Sequence, residues 1–236
     1  MEQPRILTAT RPAVEAQTVF LAKVFNWMAI GLLLTAASSF VTANSPAIVN
    51  LVFGNRLVFF GLIAAELAVV FSLVGRTERL SAGTATGLFI GYALLNGVTL
   101  ASIVLYYTMT SVATTFLVTS AMFGSMAVYG LVTKRDLSSL GSFLMMGLVG
   151  IILASLVNLF LGSPMVSWLI SGIGVIVFTG LAAYDVQKLS QLGASGVMAG
   201  GEAVIRRTVI VGALTLYLDF INLFLMLLRF FGSSRE

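Results

Sequence analysis

Three acidic side chains stand where an acid is costly. Glu66, Asp185 and Asp219 lie within long apolar stretches, whereas Glu2, Glu15, Glu78, Asp136, Glu202 and Glu236 lie at loops, stretch edges or the chain ends. An ionised carboxylate at the centre of a bilayer costs roughly 2.5–3.5 kcal/mol on insertion scales. Such a residue faces a bundle interior or water, and by default marks an ion or proton path. If Asp185 and Asp219 meet, they share a proton, because two carboxylates in a low-dielectric site cannot both ionise cheaply. Each acid also has a plainer reading. Asp185 stands three residues before Lys188, the spacing of an interfacial ion pair on a helix. Asp219 can be a satisfied polar residue bonded to Thr215 or Asn222, and Glu66 can be satisfied in a similar way.

The residues that are missing narrow the chemistry further. With no Cys and no His, disulfides, thiolate-bound zinc, His-ligated haem and the usual catalytic base are all excluded. Acid–base work falls to Asp, Glu, Lys and Tyr. Retinal binding is disfavoured, since the lysines are Lys23, Lys134 and Lys188 and none falls in the last apolar stretch. No cofactor is expected.

The elements that must carry these acids are transmembrane helices. Of 236 residues, 58% are hydrophobic and 9% charged, against about 25% charged in a soluble domain. The mean hydropathy is +1.04. This is the composition of an all-α integral membrane protein whose partner is the lipid bilayer. A bilayer core about 30 Å thick needs roughly 20 apolar residues in a helix. Seven stretches qualify: Ala22–Ala43, Leu57–Val74, Gly83–Tyr107, Ser111–Thr133, Leu140–Leu161, Met165–Gln187 and Ala203–Phe230. Six spans plus a re-entrant segment is the alternative. The expected organisation is an N-terminal arm over 1–21, a membrane domain over 22–231 and a tail over 232–236. The first stretch exceeds a signal-peptide core and follows acidic Glu2 and Glu15, which predicts a retained anchor.

Charge placement supplies the orientation. Arg5, Arg11, Lys23, Arg76, Arg79, Lys134, Arg135, Lys188, Arg206 and Arg207 fall on one side of a seven-span chain, and Arg56, Arg229 and Arg235 on the other. The Lys/Arg-rich side is cytoplasmic, so the N-terminus is expected inside and the C-terminus outside. The net charge of +4 therefore reflects topology, and no nucleic-acid partner is expected. Depth is less settled. Glu66 is the tenth residue of its stretch, near mid-membrane. Asp219 lies twelve residues after Arg207, about 18 Å along a helix, whereas Asp185 is close to a span end. The two aspartates reach one level only if the last helix begins outside the membrane.

Packing signals complete the pattern. Gly83, Gly87 and Gly91 line one face of the third stretch, where small residues let helix backbones approach closely. Gly147, Gly150, Gly172, Gly174 and Gly180 are expected to act in the same way. Trp27, Tyr106, Tyr107 and Trp168 read as interfacial anchors.

Two segments carry a family resemblance: Gly180-Leu181-Ala182-Ala183-Tyr184-Asp185-Val186-Gln187, and Ala213-Leu214-Thr215-Leu216-Tyr217-Leu218-Asp219-Phe220-Ile221-Asn222-Leu223-Phe224. With Thr133-Lys134-Arg135-Asp136-Leu137-Ser138 they resemble the Bax inhibitor-1, or transmembrane Bax inhibitor motif, family. The bacterial inner-membrane branch is the most similar. The resemblance implies seven helices, with two three-helix layers around a central seventh, and a pH-sensitive calcium leak. Asp185 and Asp219 match the family's proton-sensing pair and its candidate Ca²⁺ ligands, and Glu66 matches a glutamate of the cation path. Arg76, or else Arg79, matches an arginine that latches the helix-six aspartate. Ca²⁺ and protons are the implied partners, and Ca²⁺ the implied transported ion.

Two other functions fit the sequence. One is a non-conducting regulator of membrane-protein quality control or stress response, with membrane proteases as partners. The other is an intramembrane aspartyl protease of the presenilin type, which also places Tyr-Asp on one helix and Asp on the next. Its second motif, Gly-x-Gly-Asp, is replaced here by Leu216-Tyr217-Leu218-Asp219, and its later Pro-Ala-Leu is absent. An enzyme is accordingly not expected.

Overall fold

A computed structural model describes residues 7–76 and 79–235, with side chains from residue 14 onward. It contains eight α-helices among the described residues: α1 (Leu7–Ala43), α2 (Pro46–Phe53), α3 (Arg56–Gly75), α4 (Ala82–Tyr106), α5 (Met109–Val132), α6 (Ser138–Leu161), α7 (Pro164–Ala194) and α8 (Glu202–Phe231). All but α2 are long and apolar enough to cross a membrane. The chain is a multi-pass helical membrane protein.

Several boundaries differ from the sequence reading. Helix α1 already begins at Leu7, within the expected arm, and its apolar span begins at Val14. Lys23 is tolerated inside it because a long aliphatic stem can carry its charge to an interface. Trp27 consequently lies inside the span and sets its ring edge-on to Phe89 at 6.3 Å, so it is a packing residue and not a terminal anchor. Helix α2 is too short to register as a span; Pro46 starts it, where a missing N–H matters least. Helix α7 continues past Gln187 to Ala194, so Gly193 is helical and the connection to α8 is confined to residues 195–201. That connection turns at Gly196, whose φ of 92° is open to glycine and strained for other residues.

The chain divides into two compact units, Met1–Tyr106 with Leu189–Tyr217, and Tyr107–Lys188 with Leu218–Glu236. Each gathers three spanning helices and one half of α8. That helix is the most deeply buried, with 72% of its most apolar window enclosed against 39% or less in every other span. Its ends suit the helix dipole, with Glu202 in the first turn and Arg229 in the last.

In the first unit α1 packs along α4. Gly97 permits this, since a Cβ there would lie 2.5 Å from the Thr35 carbonyl oxygen. Thr35 and Ser38 donate across the contact to the Ala93 and Leu94 carbonyls, each at 2.8 Å. The expected glycine stripe on α4 does not pack. A Cβ on Gly87 or Gly91 meets nothing within 4 Å, and one on Gly83 reaches only Ser81 Oγ at 3.9 Å. The opposite face of α4, with Phe89, Tyr92, Ala93 and Asn96, is the buried one.

In the second unit Gly147, Gly172, Gly174 and Gly180 do pack, whereas a Cβ on Gly150 meets nothing within 4 Å. Gly130 lies directly over the Ala183 carbonyl. A Cβ on Gly180 would lie 2.6 Å from Leu144, and one on Gly174 2.7 Å from Met226. Phe116 and Phe123 meet Phe220 edge-on at 5.4 and 5.6 Å, and Trp168 stacks on Phe230 at 4.9 Å. The residues after α8 are tied down: Thr108 N–H donates to the Ser233 carbonyl at 3.2 Å and Arg235 Nε to the Tyr107 carbonyl at 3.0 Å.

Candidate functional site

Asp185 and Asp219 meet. In the second unit their carboxyl groups lie within hydrogen-bonding reach of each other. The depth difficulty resolves as the helix lengths require: α7 runs six residues past Lys188, and α8 starts five before Arg207. Both helices continue beyond the charges that mark the interface. At 1.5 Å per residue, α7 is about 46 Å long, well over the roughly 30 Å of hydrocarbon.

Asp219 is 6% exposed and Asp185 is half-buried. An ionised carboxylate only accepts hydrogen bonds, so two carboxyl groups bond to each other only when they share a proton. Asp219 Oδ2 is buried with no hydrogen-bond partner among the described residues. The polar neighbours expected to support it do not. Thr215 donates to the Val211 carbonyl at 3.1 Å and Asn222 to the Leu218 carbonyl at 2.8 Å. Each bonds back to its own helix one turn earlier, as short polar side chains commonly do. The Lys188 ammonium lies over the Tyr184 ring, 5.9 Å from its centroid, and its charge also acts on Asp185.

The surroundings of Asp185 are rigid. Gly141 packs against the Tyr184 ring, and Gln187 is 8% exposed. Its Oε1 accepts the Leu137 N–H at 2.9 Å, and its Nε2 donates to the Arg135 carbonyl at 2.8 Å. One amide two residues from Asp185 thus clamps the α5–α6 loop to α7. Asp136 in that loop accepts the Ser138 N–H at 2.9 Å. Bonding to the Ser138 hydroxyl and N–H holds its carboxyl below its ordinary value.

In the first unit, Glu66 is half-buried and accepts a 2.6 Å hydrogen bond from Thr99 Oγ1. Arg76 follows α3 as its C-cap, and both Arg76 and Arg79 are exposed. The same unit holds a polar chain that the sequence reading missed. Asn96 Nδ2 donates to Tyr217 Oη at 2.7 Å, and Tyr217 Oη lies 2.6 Å from Thr35 Oγ1. The single Thr35 proton goes to the Ala93 carbonyl, so Tyr217 is the donor to Thr35. All three side chains are buried, and Phe89 and Tyr92 flank the Tyr217 ring edge-on. An Asn inside an apolar helix was the available signal, since intramembrane amides need partners.

No three acids, histidines or cysteines come together to hold a metal among the described residues. Ca²⁺ takes six to eight oxygens, so Asp185 and Asp219 alone are not a resident calcium site.

Seven apolar helices, with Asp185 and Asp219 brought together in the second unit, define a polytopic membrane protein. The chain matches the family described as Inhibitor of apoptosis-promoting Bax1 over residues 17–236, and it belongs to that family. It is 51% identical over 232 residues to the inner membrane protein YbhL of Escherichia coli strain K12, covering 98% of each chain. It is 44% identical over 230 residues to an uncharacterised protein of Borreliella burgdorferi, again over 98% of each. A protein of Deinococcus radiodurans is 43% identical over 232 residues, covering 98% of this chain and 97% of that one.

Proposed function

We propose that this protein is a multi-pass inner-membrane cation leak, passing Ca²⁺ under control of the proton held between Asp185 and Asp219. The observation that carries the reading is the close approach of the Asp185 and Asp219 carboxyl groups inside the bundle. The inner membrane as its location is supported by the E. coli relative's description.

The pair has three proton counts, and each favours a different contact. With one proton the acids are bonded to one another. With none, two carboxylates about 4 Å apart repel by about 4 kcal/mol at an effective dielectric of 20, which separates α7 from α8 or draws in a cation. With two, neither carries charge to attract a cation. The pair therefore acts as a switch on helix contact and as a transient oxygen-rich step for a hard cation. Glu66 supplies a further carboxylate to the path. No cofactor takes part, and no bond-making step is assigned to the acids.

The test is Ca²⁺ entry into dye-loaded proteoliposomes. Wild-type protein admits Ca²⁺ above the protein-free rate, and the Asp185→Asn/Asp219→Asn double variant loses that pH-controlled component. Entry no faster than in protein-free vesicles at every pH overturns the proposal and favours a non-conducting regulator.

A further inference from the structure

The ends of α6, α7 and α8 in the second unit border an open cleft of about 560 Å³ lined by Ser155, Asn158, Leu159, Ser167, Ile170 and Arg229, among others. No carboxylate is among the described residues that line it. Conduction through the aspartate pair makes no use of this cleft, and its chemistry is that of an anion site.

Its polar groups are arranged as donors. Asn158 braces the α6–α7 turn: its Nδ2 donates to Ser167 Oγ at 2.7 Å and to the Ser163 carbonyl at 3.2 Å, and its Oδ1 accepts the Ser163 N–H at 3.1 Å. Because Ser167 Oγ accepts from Asn158, its own proton remains to donate. Arg229 adds a guanidinium fork, which matches two oxygens of a phosphate. The start of α7 adds the positive end of a 31-residue helix. Two of these features are independent of the helix terminus, namely the exposed Arg229 side chain and the exposed Ser167 hydroxyl, whose oxygen accepts from Asn158. An Arg in the last turn of a helix also suits its own dipole. That explains a base at the end of α8, but not a cleft whose described lining holds no acid and includes a Ser167 hydroxyl that accepts from Asn158.

The setting identifies the source of the anion. The cleft lies where α6 and α8 end and α7 begins, at the end of three spans, where lipid headgroups lie. Trp168, 54% exposed and stacked on Phe230, is an aromatic of the kind that sits at headgroup level. Leu159 is 73% exposed beside the polar groups and offers apolar surface to an acyl chain.

We propose that this cleft binds the phosphate of an anionic membrane phospholipid, with Arg229 holding two phosphate oxygens and Ser167 donating a further bond. The test uses the full-length chain in detergent with phosphatidylglycerol as probe, bound lipid being counted by native mass spectrometry. Arg229→Gln is expected to lower the affinity about tenfold, at the lower end for a charged hydrogen bond. Ser167→Ala lowers it about threefold, while Arg235→Gln, at the same end of the molecule, leaves it unchanged. Equal binding by wild type and Arg229→Gln overturns the site. So does an equal loss in Arg235→Gln, which would make the effect one of net charge. Inorganic phosphate is the second arm. Arg229-dependent binding of inorganic phosphate without Arg229-dependent binding of phosphatidylglycerol overturns the lipid assignment in favour of a soluble anion.

Discussion

Replacing Tyr217 by Phe removes one oxygen and keeps the ring between Phe89 and Tyr92, so it isolates the polar chain of the first unit. Two hydrogen bonds disappear, from Asn96 at 2.7 Å and to Thr35 at 2.6 Å. Thr35 keeps its donation to Ala93 and loses only an incoming bond. Asn96, 6% exposed, is left with a buried N–H and no acceptor. An orphaned buried donor costs about 1–3 kcal/mol, while side-chain hydrogen bonds within membrane bundles average about 0.6 kcal/mol and reach about 1.7. The two bonds together therefore give a destabilisation of about 1–3 kcal/mol. The assay is reversible unfolding in mixed micelles, for Tyr217→Phe, Asn96→Leu and the double variant. Because Asn96→Leu removes the orphan that Tyr217→Phe creates, the double variant should be less destabilised than the sum of the singles by about 1 kcal/mol. Additive losses, or a Tyr217→Phe protein as stable as wild type, would refute the directional chain from Asn96 through Tyr217 to Thr35.

Gln187→Leu deprives the Leu137 N–H and the Arg135 carbonyl of their partner. Hydrogen exchange at the Leu137 amide should accelerate at least tenfold, with stability falling by about 1–3 kcal/mol, and unchanged exchange would contradict the clamp. Asp136→Ala removes the acceptor for Ser138 at the start of α6 and should lower the unfolding temperature slightly at neutral pH. Since the folded carboxyl lies below its ordinary 3.8, its contribution is complete above that value and is lost as pH falls through the lower folded one. The variant and wild type should therefore converge in acid, and a difference that persists there would assign the effect to something other than the carboxylate.

The spans were legible because lipid imposes one rule along the whole chain: a run of about 20 apolar residues forms a helix. Six of the seven expected starts lie within two residues of the helix starts, and the exception is instructive. The first stretch begins at Ala22, beside Lys23, yet the apolar span of α1 reaches back to Val14 and carries Lys23 well inside it. The sixth stretch ends at Gln187, beside Lys188, although Leu189 and Leu192 continue the helix to Ala194. Asp185 and Asp219 stood out because a charge in hydrocarbon is costly wherever its partner lies. Their contact was not readable from spacing, since it depends on both helices overrunning the bilayer. The Gly83, Gly87 and Gly91 stripe showed a face but not whether anything packs on it. The Asn96–Tyr217–Thr35 chain was hidden for the opposite reason. Thr and Tyr are ordinary in apolar helices, and its members are brought together only by the packing of three separated segments.

The central claim is that one proton shared by Asp185 and Asp219 controls cation passage, and the pH profile of Ca²⁺ entry into proteoliposomes tests it most directly. Wild type, Asp185→Asn and Asp219→Asn are compared at matched protein density. An amide in place of either carboxyl can donate to the other without a titrating proton, so both single variants should lose most of the pH dependence. Glu66→Gln, outside the pair, should lower the rate and keep the shape of the profile. Single variants that retain the wild-type pH profile would contradict the account.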